Sequence, residues 1–424
     1  MEKWKAETQE KLFDPVSAFH LSLSSFQLFT MSAFPLISVV IPACNPGMRH
    51  FQIVLDALRD QTLPKDCWEL ILVDDASRTP LALRDGRAGE KAENLKIGKA
   101  ENEGLRGEKP DEQQRTDLTK NEALIDLSWH PNARLVQTDL EREGGGEKAE
   151  NLKSAKAENE GACGEREGIG LVSARLRGFE LGKGDVFVFV DQDNALRPDY
   201  LQGVADIALE YPHIGTWGGQ ILLKFDEPEK APEKRLWGSL CTREVESDVW
   251  SNVADHHPST PCGAGLCARR EVLRHYRTRV LTNPLRRLLD PTPRGPGFGG
   301  DTDVAYAGIE IGYGKGIFKR LVLDHLTPVG RCSDDYILRN AEGLAFSSAL
   351  HGYVDTGRVI PPRDDMRFWI MNWLRRPGMA RLDWDVLVAQ HRGRRRAVEE
   401  VELRGKDLRA YARRLHEKAV ALNH

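Results

Sequence analysis

Long apolar runs are missing from this 424-residue chain. No stretch approaches the ~18–20 residues that a helix needs to cross a bilayer, and residues 19–34 are interrupted by Ser, His and Gln. Charges of both signs in residues 1–11 do not match the layout of a secretory signal. Neither charge is in surplus: 60 basic and 64 acidic residues leave −4, which gives no electrostatic reason to expect nucleic acid. The seven cysteines include no C-x-x-C pair, so neither a zinc ribbon nor a disulfide framework is indicated. A reducing cytoplasm is the expected setting. Two nucleotide signatures are also lacking. There is no G-x-x-x-x-G-K-[ST] loop, and no G-x-G-x-x-G follows the first β-branched run.

Apolar residues still make up 40% of the chain, enough for a sizeable core. Residues 37–41 (ISVVI) form a β-branched run closed by Pro42, Asn45, Pro46 and Gly47, which predicts a strand and then a loop. Phe51, Val54, Leu55 and Leu58 recur at helical spacing, and residues 68–73 (WELILV) predict a second strand ending in Asp74-Asp75. Strand, helix and acid-tipped strand are the start of a parallel α/β sheet. The pattern continues with a strand at 132–136, a helix at 171–181 and the strand 186–190 (VFVFV). Beyond these follow a helix carrying Leu201, Val204, Ala205 and Ala208, a strand at 217–223, and a glycine-rich loop at 295–300 that opens another helix.

Two near-identical segments interrupt this order. Residues 89–104 (GEKAENLKIGKAENEG) return at 146–161 with changes only at Ile97-Gly98 versus Ser154-Ala155. They offer almost nothing to bury and read as solvated insertions at about 85–128 and 141–167. Residues 1–30 read as an N-terminal extension, with Met31 just ahead of the first strand. After Pro361-Pro362 the composition shifts to an amphipathic, basic stretch (Trp369, Trp373; HRGRRR at 391–396) that predicts helix.

The strongest chemical signal is Asp191-x-Asp193 at the end of the VFVFV strand. Two carboxylates at the carboxyl edge of a sheet suit a hard cation such as Mg²⁺ or Mn²⁺; a strand terminus without chemistry is the plain alternative. Ala195 excludes the D-x-D-x-[TV] phosphatase pattern, and Leu196 excludes an EF-hand loop. Asp74 and Asp75 would face the same crevice, accepting hydrogen bonds from a nucleobase or ribose, or else capping the next turn. Asp301 and Asp303 follow Gly299-Gly300 at a helix start, where the dipole keeps a carboxylate ionised. Helix capping would also explain both.

In this order the pieces resemble the family-2 glycosyltransferases of GT-A fold. ISVVIPACN resembles that family's opening strand, LILVDDAS its V-D-D-x-S strand end, and SARLRGFELGKGDVFVFVDQDN its long A-R…D-x-D signature. GAGLCARREVL and GGDTDVAYAGIEIGYG are similar to two later segments, so the resemblance spans about residues 36–347. It implies that Asp75 contacts the base, Asp191 the ribose, and Asp193 with His325 a divalent metal. Arg175 would lie near the nucleotide. Asp301 and Asp303 are the two candidate catalytic carboxylates, of which the resemblance selects Asp301 as the base, leaving Asp303 to cap the helix or hold the loop. Leu176 stands where the family has Asn, and Gly300 where it has Glu.

The expected architecture is therefore a GT-A α/β domain at 31–350 and a helical C-terminal region at 351–424. The expected activity is inverting, metal-dependent transfer of a hexosyl-type sugar from a nucleotide-diphosphate donor to an acceptor hydroxyl. The acceptor would be a saccharide or lipid-linked molecule in polysaccharide or glycolipid assembly, at the cytoplasmic face of a membrane. A sugar-nucleotide hydrolase or phosphatase and a non-catalytic nucleotide-sugar-binding protein share the same site chemistry. The insertions generate a first prediction. Deleting 89–104 and 146–161 together should leave folding and activity nearly intact, because solvated polar loops bury little. A fall of more than a few degrees in the melting temperature would show that they pack on the domain.

Overall fold

The structure is a computed structural model that describes residues 35–84, 90–91, 123–138, 169–292, 295–357 and 366–421, all within the compact unit Pro35–His424. The expected extension at 1–30 and nearly all of both repeats lie outside the described residues. In chain order the first half has β1 (Ile37–Ala43), α1 (Met48–Arg59), β2 (Trp68–Asp74), β3 (Leu81–Leu83), β4 (Glu90–Lys91), β5 (Ala123–Ile125) and β6 (Ala133–Gln137). Then come α2 (Leu171–Leu181), β7 (Val186–Phe189), β8 (Asn194–Leu196), α3 (Tyr200–Glu210), β9 (Ile214–Phe225) and β10 (Val249–Ser251). The remainder has β11 (Leu266–Arg269), α4 (Arg270–Thr282), β12 (Pro291–Thr292), β13 (Gly295–Pro296), α5 (Gly300–Glu310) and β14 (Gly314–Thr327). Three helices close the chain: α6 (Asp334–Thr356), α7 (Met366–Arg375) and α8 (Arg381–Ala421).

One mixed sheet organises the fold, in the order β10-β14-β9-β11-β7-β1-β2-β6-β4, with β8 pairing to β14. β7, β1, β2 and β6 run parallel, so their carboxyl ends share one edge. β11 runs antiparallel to both of its neighbours, β7 and β9. Every residue of β1 and β2 is buried, as expected for strands covered on both faces. One covering layer is α2, which comes so near that a Cβ at Gly178 would stand 2.2 Å from Val40 Cγ1. Val40, Ile71, Phe187 and Phe189 of the strands pack there with Val272 of α4 and Val304 of α5.

The carboxylate inside this layer is paired. Glu69, in the middle of β2, accepts from Ser38 Oγ at 2.7 Å, from Arg134 Nη2 at 2.7 Å and from the Lys183 amide. An ionised carboxylate is tolerable in a core only with such partners.

Two short pairings fall inside the expected first insertion. β5 pairs with β3, and β4 adds to the outer edge of β6, which otherwise has no partner on that side among the described residues. An open strand edge draws in whatever backbone is near. Polar composition could not reveal that pairing.

Helix α6 runs across residue 350 and joins the C-terminal region to the sheet unit. Ser333 caps its start by accepting from the Tyr336 amide, and Gly357, at φ 71°, ends it in the left-handed conformation. Phe346 and Leu350 of α6 pack with Ala397 and Val401 of α8 and with Leu285, Leu288 and Leu289. A Cβ at Gly393 would meet the Glu342 carbonyl oxygen at 2.1 Å, so the two helices touch backbone to backbone there. Within the basic run, Arg392 pairs with Glu342 at 2.5 Å. Part of that charge is spent on packing.

Candidate active site

The carboxyl ends of β1, β2 and β7 open onto a cavity of about 720 Å³. Asp75, Arg175, Asp191, Asp193, Asp301 and His325 all line it. The sequence spreads these residues over most of the chain, and strand register brings them together. Leaving β7, the backbone turns through Asp191-Gln192-Asp193 and pairs as β8 with β14, where Asn194 lies opposite His325. The Leu326 amide donates to the Asp193 carbonyl at 2.9 Å, fixing that junction. Gln192 accepts from the Cys44 amide at 3.1 Å, which ties the acidic turn to the tip of β1.

Arg175 is the best-anchored charge. Its Nη1 lies 3.1 Å from Asp290 Oδ2 and its Nη2 lies 3.3 Å from Asp191 Oδ1. Asp191 also accepts from Asn194 Nδ2 at 3.2 Å; burial pushes its carboxyl upward, and Arg175 opposes the push. Asp290 is raised to about 6, chiefly by burial against the pull of Arg175.

Asp290 is a cavity residue that sequence reading missed. Its only signal is an acid after Leu288-Leu289, which has no periodic or motif context. It also explains the departure at Gly300. The Gly300 amide donates to Asp290 Oδ1 at 3.0 Å, and a Cβ there would stand 2.3 Å from Oδ2. With Asp290 in place, no Glu fits at 300.

Asp301 and Asp303 separate cleanly. Asp301 accepts from the Gly263 amide at 2.8 Å and from the Thr302 amide at 2.6 Å, with its carboxylate at the cavity wall. Asp303 is fully buried, outside the cavity lining. It sits against Arg279 at 3.1 Å and against Arg286, and both of these arginines also hold Asp355. Its expected place among the catalytic residues is corrected: residues two apart at a helix start face different ways, and here one faces the cavity and the other the core.

Asp74 is the second correction. It lies outside the cavity lining, accepting from the Ser77 amide at 3.3 Å and the Leu81 amide at 2.9 Å, and so closes the turn after β2. Asp75 does reach the cavity, yet its two oxygens already accept from Thr138 Oγ1, the Ile169 amide and the Gly170 amide at 2.7, 2.7 and 2.9 Å. It holds the entry to α2.

Asp193 and His325 are both buried, with Oδ1 and Nε2 3.8 Å apart. Burial lowers the His325 pKa, Asp193 opposing. A second missed residue, Arg331, donates to Asp193 Oδ2 at 2.5 Å and to His325 Nε2 at 2.9 Å. A guanidinium already held between a carboxylate and a neutral imidazole shows that this spot accommodates positive charge. Asp193 and His325 offer one carboxylate and one imidazole, donor types that a divalent ion accepts, with Asp191 on the same cavity wall.

Among the described residues, the group of three whose ligand atoms lie within 4.8 Å of one another is Asp303, His351 and Asp355. Arg279 and Arg286 already neutralise it. Two thiols were also overlooked: Cys241 and Cys262 line the cavity and are hydrogen-bonded to each other, a contact that pulls Cys262 below the usual thiol range despite burial.

A mostly parallel sheet with a carboxylate-lined cavity at its carboxyl edge defines an α/β protein. Residues 163–276, which contain Arg175, Asp191 and Asp193, match the family model "Glycosyl transferase family 2". Among solved structures, TarS of S. aureus (residues 1–349) is 13% identical with a TM-score of 0.35, over 87% of this chain and 91% of that one. A second TarS structure, in complex with UDP, is 14% identical over the same shares. The mannosyltransferase PcManGT from Pyrobaculum calidifontis, in complex with GDP-Man and Mn²⁺, is 17% identical with a TM-score of 0.39, over 92% and 81%. No curated protein matches the chain.

The separation of the two acids is testable. Asp303→Asn should destabilise the fold by about 3–5 kcal/mol in urea unfolding, since it leaves two buried guanidiniums short of a counter-charge. Nucleotide binding by the folded fraction should persist. Full stability with lost sugar transfer would instead put Asp303 in the chemistry.

Proposed function

We propose that the chain transfers a hexosyl-type sugar, with inversion, from a nucleoside-diphosphate donor to an acceptor hydroxyl. The observation that carries this reading is the convergence of Arg175, Asp191, Asp193, Asp301 and His325 on one cavity. Asp191 is set for a ribose hydroxyl, because one oxygen is oriented by Arg175 and the other by Asn194. Asp75 is the base-side carboxylate. It meets a base only by sharing oxygens that also hold Ile169 and Gly170.

Asp193 and His325, with Asp191, would hold the divalent ion. When bound, such an ion supplies positive charge to the departing diphosphate. Arg175, paired with Asp191, adds to the same charge balance. Asp301 takes the acceptor proton as the new bond forms, since an alcohol is a poor nucleophile while it keeps that proton. Its backbone contacts use part of its accepting capacity, and a carboxylate has about four lone-pair sites. A single base acting in one displacement inverts the anomeric carbon.

The acceptor belongs to saccharide or lipid-linked assembly at the cytoplasmic face of a membrane. No described helix is long and apolar enough to cross a bilayer. Helix α7 supports surface contact instead. Trp369 faces inward, its ring 4.8 Å from that of His391 and 6.3 Å from that of Trp384, while Met366, Ile370, Met371, Trp373 and Leu374 are exposed. Exposed Arg375, Arg376 and Arg381 flank them. Apolar side chains beside basic ones suit an anionic lipid surface.

Asp301→Asn keeps shape and removes basicity. Donor binding should persist while transfer falls by ~10²-fold or more. Undiminished transfer would remove Asp301 from the base role, and donor turnover that no acceptor stimulates would favour a hydrolase. For the membrane contact, the protein should co-sediment with phosphatidylglycerol vesicles, and replacing Ile370 and Trp373 by Ser should abolish this. Equal indifference of both chains to lipid charge would end that part of the reading.

A further inference from the structure

Arg331 and a divalent ion would need the same two atoms. The guanidinium uses Asp193 Oδ2 and the Nε2 lone pair of His325, which are the donors that a metal would draw on. A guanidinium has no lone pair to share, so it cannot stay there as a further ligand. It must move when an ion enters.

The chain around Arg331 allows this. The side chain comes from the turn Val329–Cys332, just beyond the end of β14, and extends back over the strand to reach His325. Its other described neighbour is the Tyr336 ring, 5.9 Å away, which lines the same cavity. Arg175, in contrast, is locked between two buried or half-buried carboxylates and the Gly263 backbone. Of the two arginines on the cavity wall, only Arg331 holds ligands that another cation would claim. A diphosphate entering the cavity would offer it new acceptor oxygens of the kind guanidinium groups bind well.

We propose that Arg331 is a displaceable internal cation, keeping Asp193 and His325 together in the empty site and passing to the donor's diphosphate when a divalent ion takes that pair. The proposal rests on the donor and metal reading above and deepens it. A physical consequence follows. An ion binding alone must break the Arg331 contacts without replacement, whereas an ion binding with nucleotide lets Arg331 form new ones. Metal and nucleotide affinity are therefore coupled through this side chain, and each strengthens the other by the same factor.

The test is Mn²⁺ titration followed by electron paramagnetic resonance, with and without UDP or GDP, on the full chain and on Arg331→Ala and Arg331→Lys. Circular dichroism checks folding. Arg331→Ala should bind Mn²⁺ alone at least about fivefold more tightly than the unchanged chain, the lower end of typical coupling between linked sites. Its gain in Mn²⁺ affinity on adding nucleotide should shrink, and Arg331→Lys should restore part of that gain. A side chain with only a structural role would loosen Mn²⁺ binding when removed.

Unchanged or weaker Mn²⁺ affinity in Arg331→Ala, with Mn²⁺ and nucleotide still binding together in the unchanged chain, overturns this proposal and leaves the metal reading standing. If no chain binds Mn²⁺ under any condition, both fall. If Mn²⁺ binds only after Arg331 is removed, even with nucleotide present, the guanidinium blocks the pair and does not yield it, and the proposal falls.

Discussion

The Arg175 guanidinium stands between Asp191 at the tip of β7 and Asp290 ahead of the glycine loop. It joins α2, a strand end and the segment leading into α5, so one buried ion triad sets how these three parts meet. Without that cation, a buried carboxylate and a part-buried one would repel one another and favour proton uptake. The glycines around it follow from the same crowding. Gly263 has no room for a side chain, because its Cβ would lie 2.9 Å from Arg175 Nη2, and Gly300 is pressed against Asp290.

This constraint extends around the cavity. Five carboxylates face it, held in four ways: Asp75 by backbone amides and Thr138, Asp191 and Asp290 together by Arg175, Asp193 by Arg331, and Asp301 by the amides of Gly263 and Thr302. The partner decides what each acid can do. A carboxylate held by backbone amides is fixed in place. A carboxylate held by a side chain on a turn can exchange that cation for another.

A second ionic network lies on the far side of α5. Asp303, Asp355, Arg279 and Arg286 bind that helix to α4 and α6, with His351 against Asp355 at 3.2 Å. The first turn of α5 thereby has one acid pinned to the core and another, Asp301, presented to the cavity. The C-terminal helices take part in the same arrangement through Asp355 and the packing of Phe346 on α8. They are a wall of the unit that holds the site.

β11, β14 and the order of strands across the sheet came from the fold. The sequence by itself determined β1, β2, β6, β7 and β9, the helices between them, and the acidic tips at Asp75 and Asp191–Asp193. Those features are local: β-branched runs, helical spacing and a motif a few residues long carry them. It also fixed that Asp301 and Asp303 could not both face the acceptor, since helix geometry forbids it. Tertiary structure decided which of the two turned inward, because the arginines that claim Asp303 come from other elements. It also decided that Asp74 closes a turn, that Asp290 replaces any side chain at 300, and that Arg331 meets His325 across from β8. Each of these depends on strand register or on pairing between distant segments, and a charged residue in a loop carries no local sign of the partner that folding will bring to it.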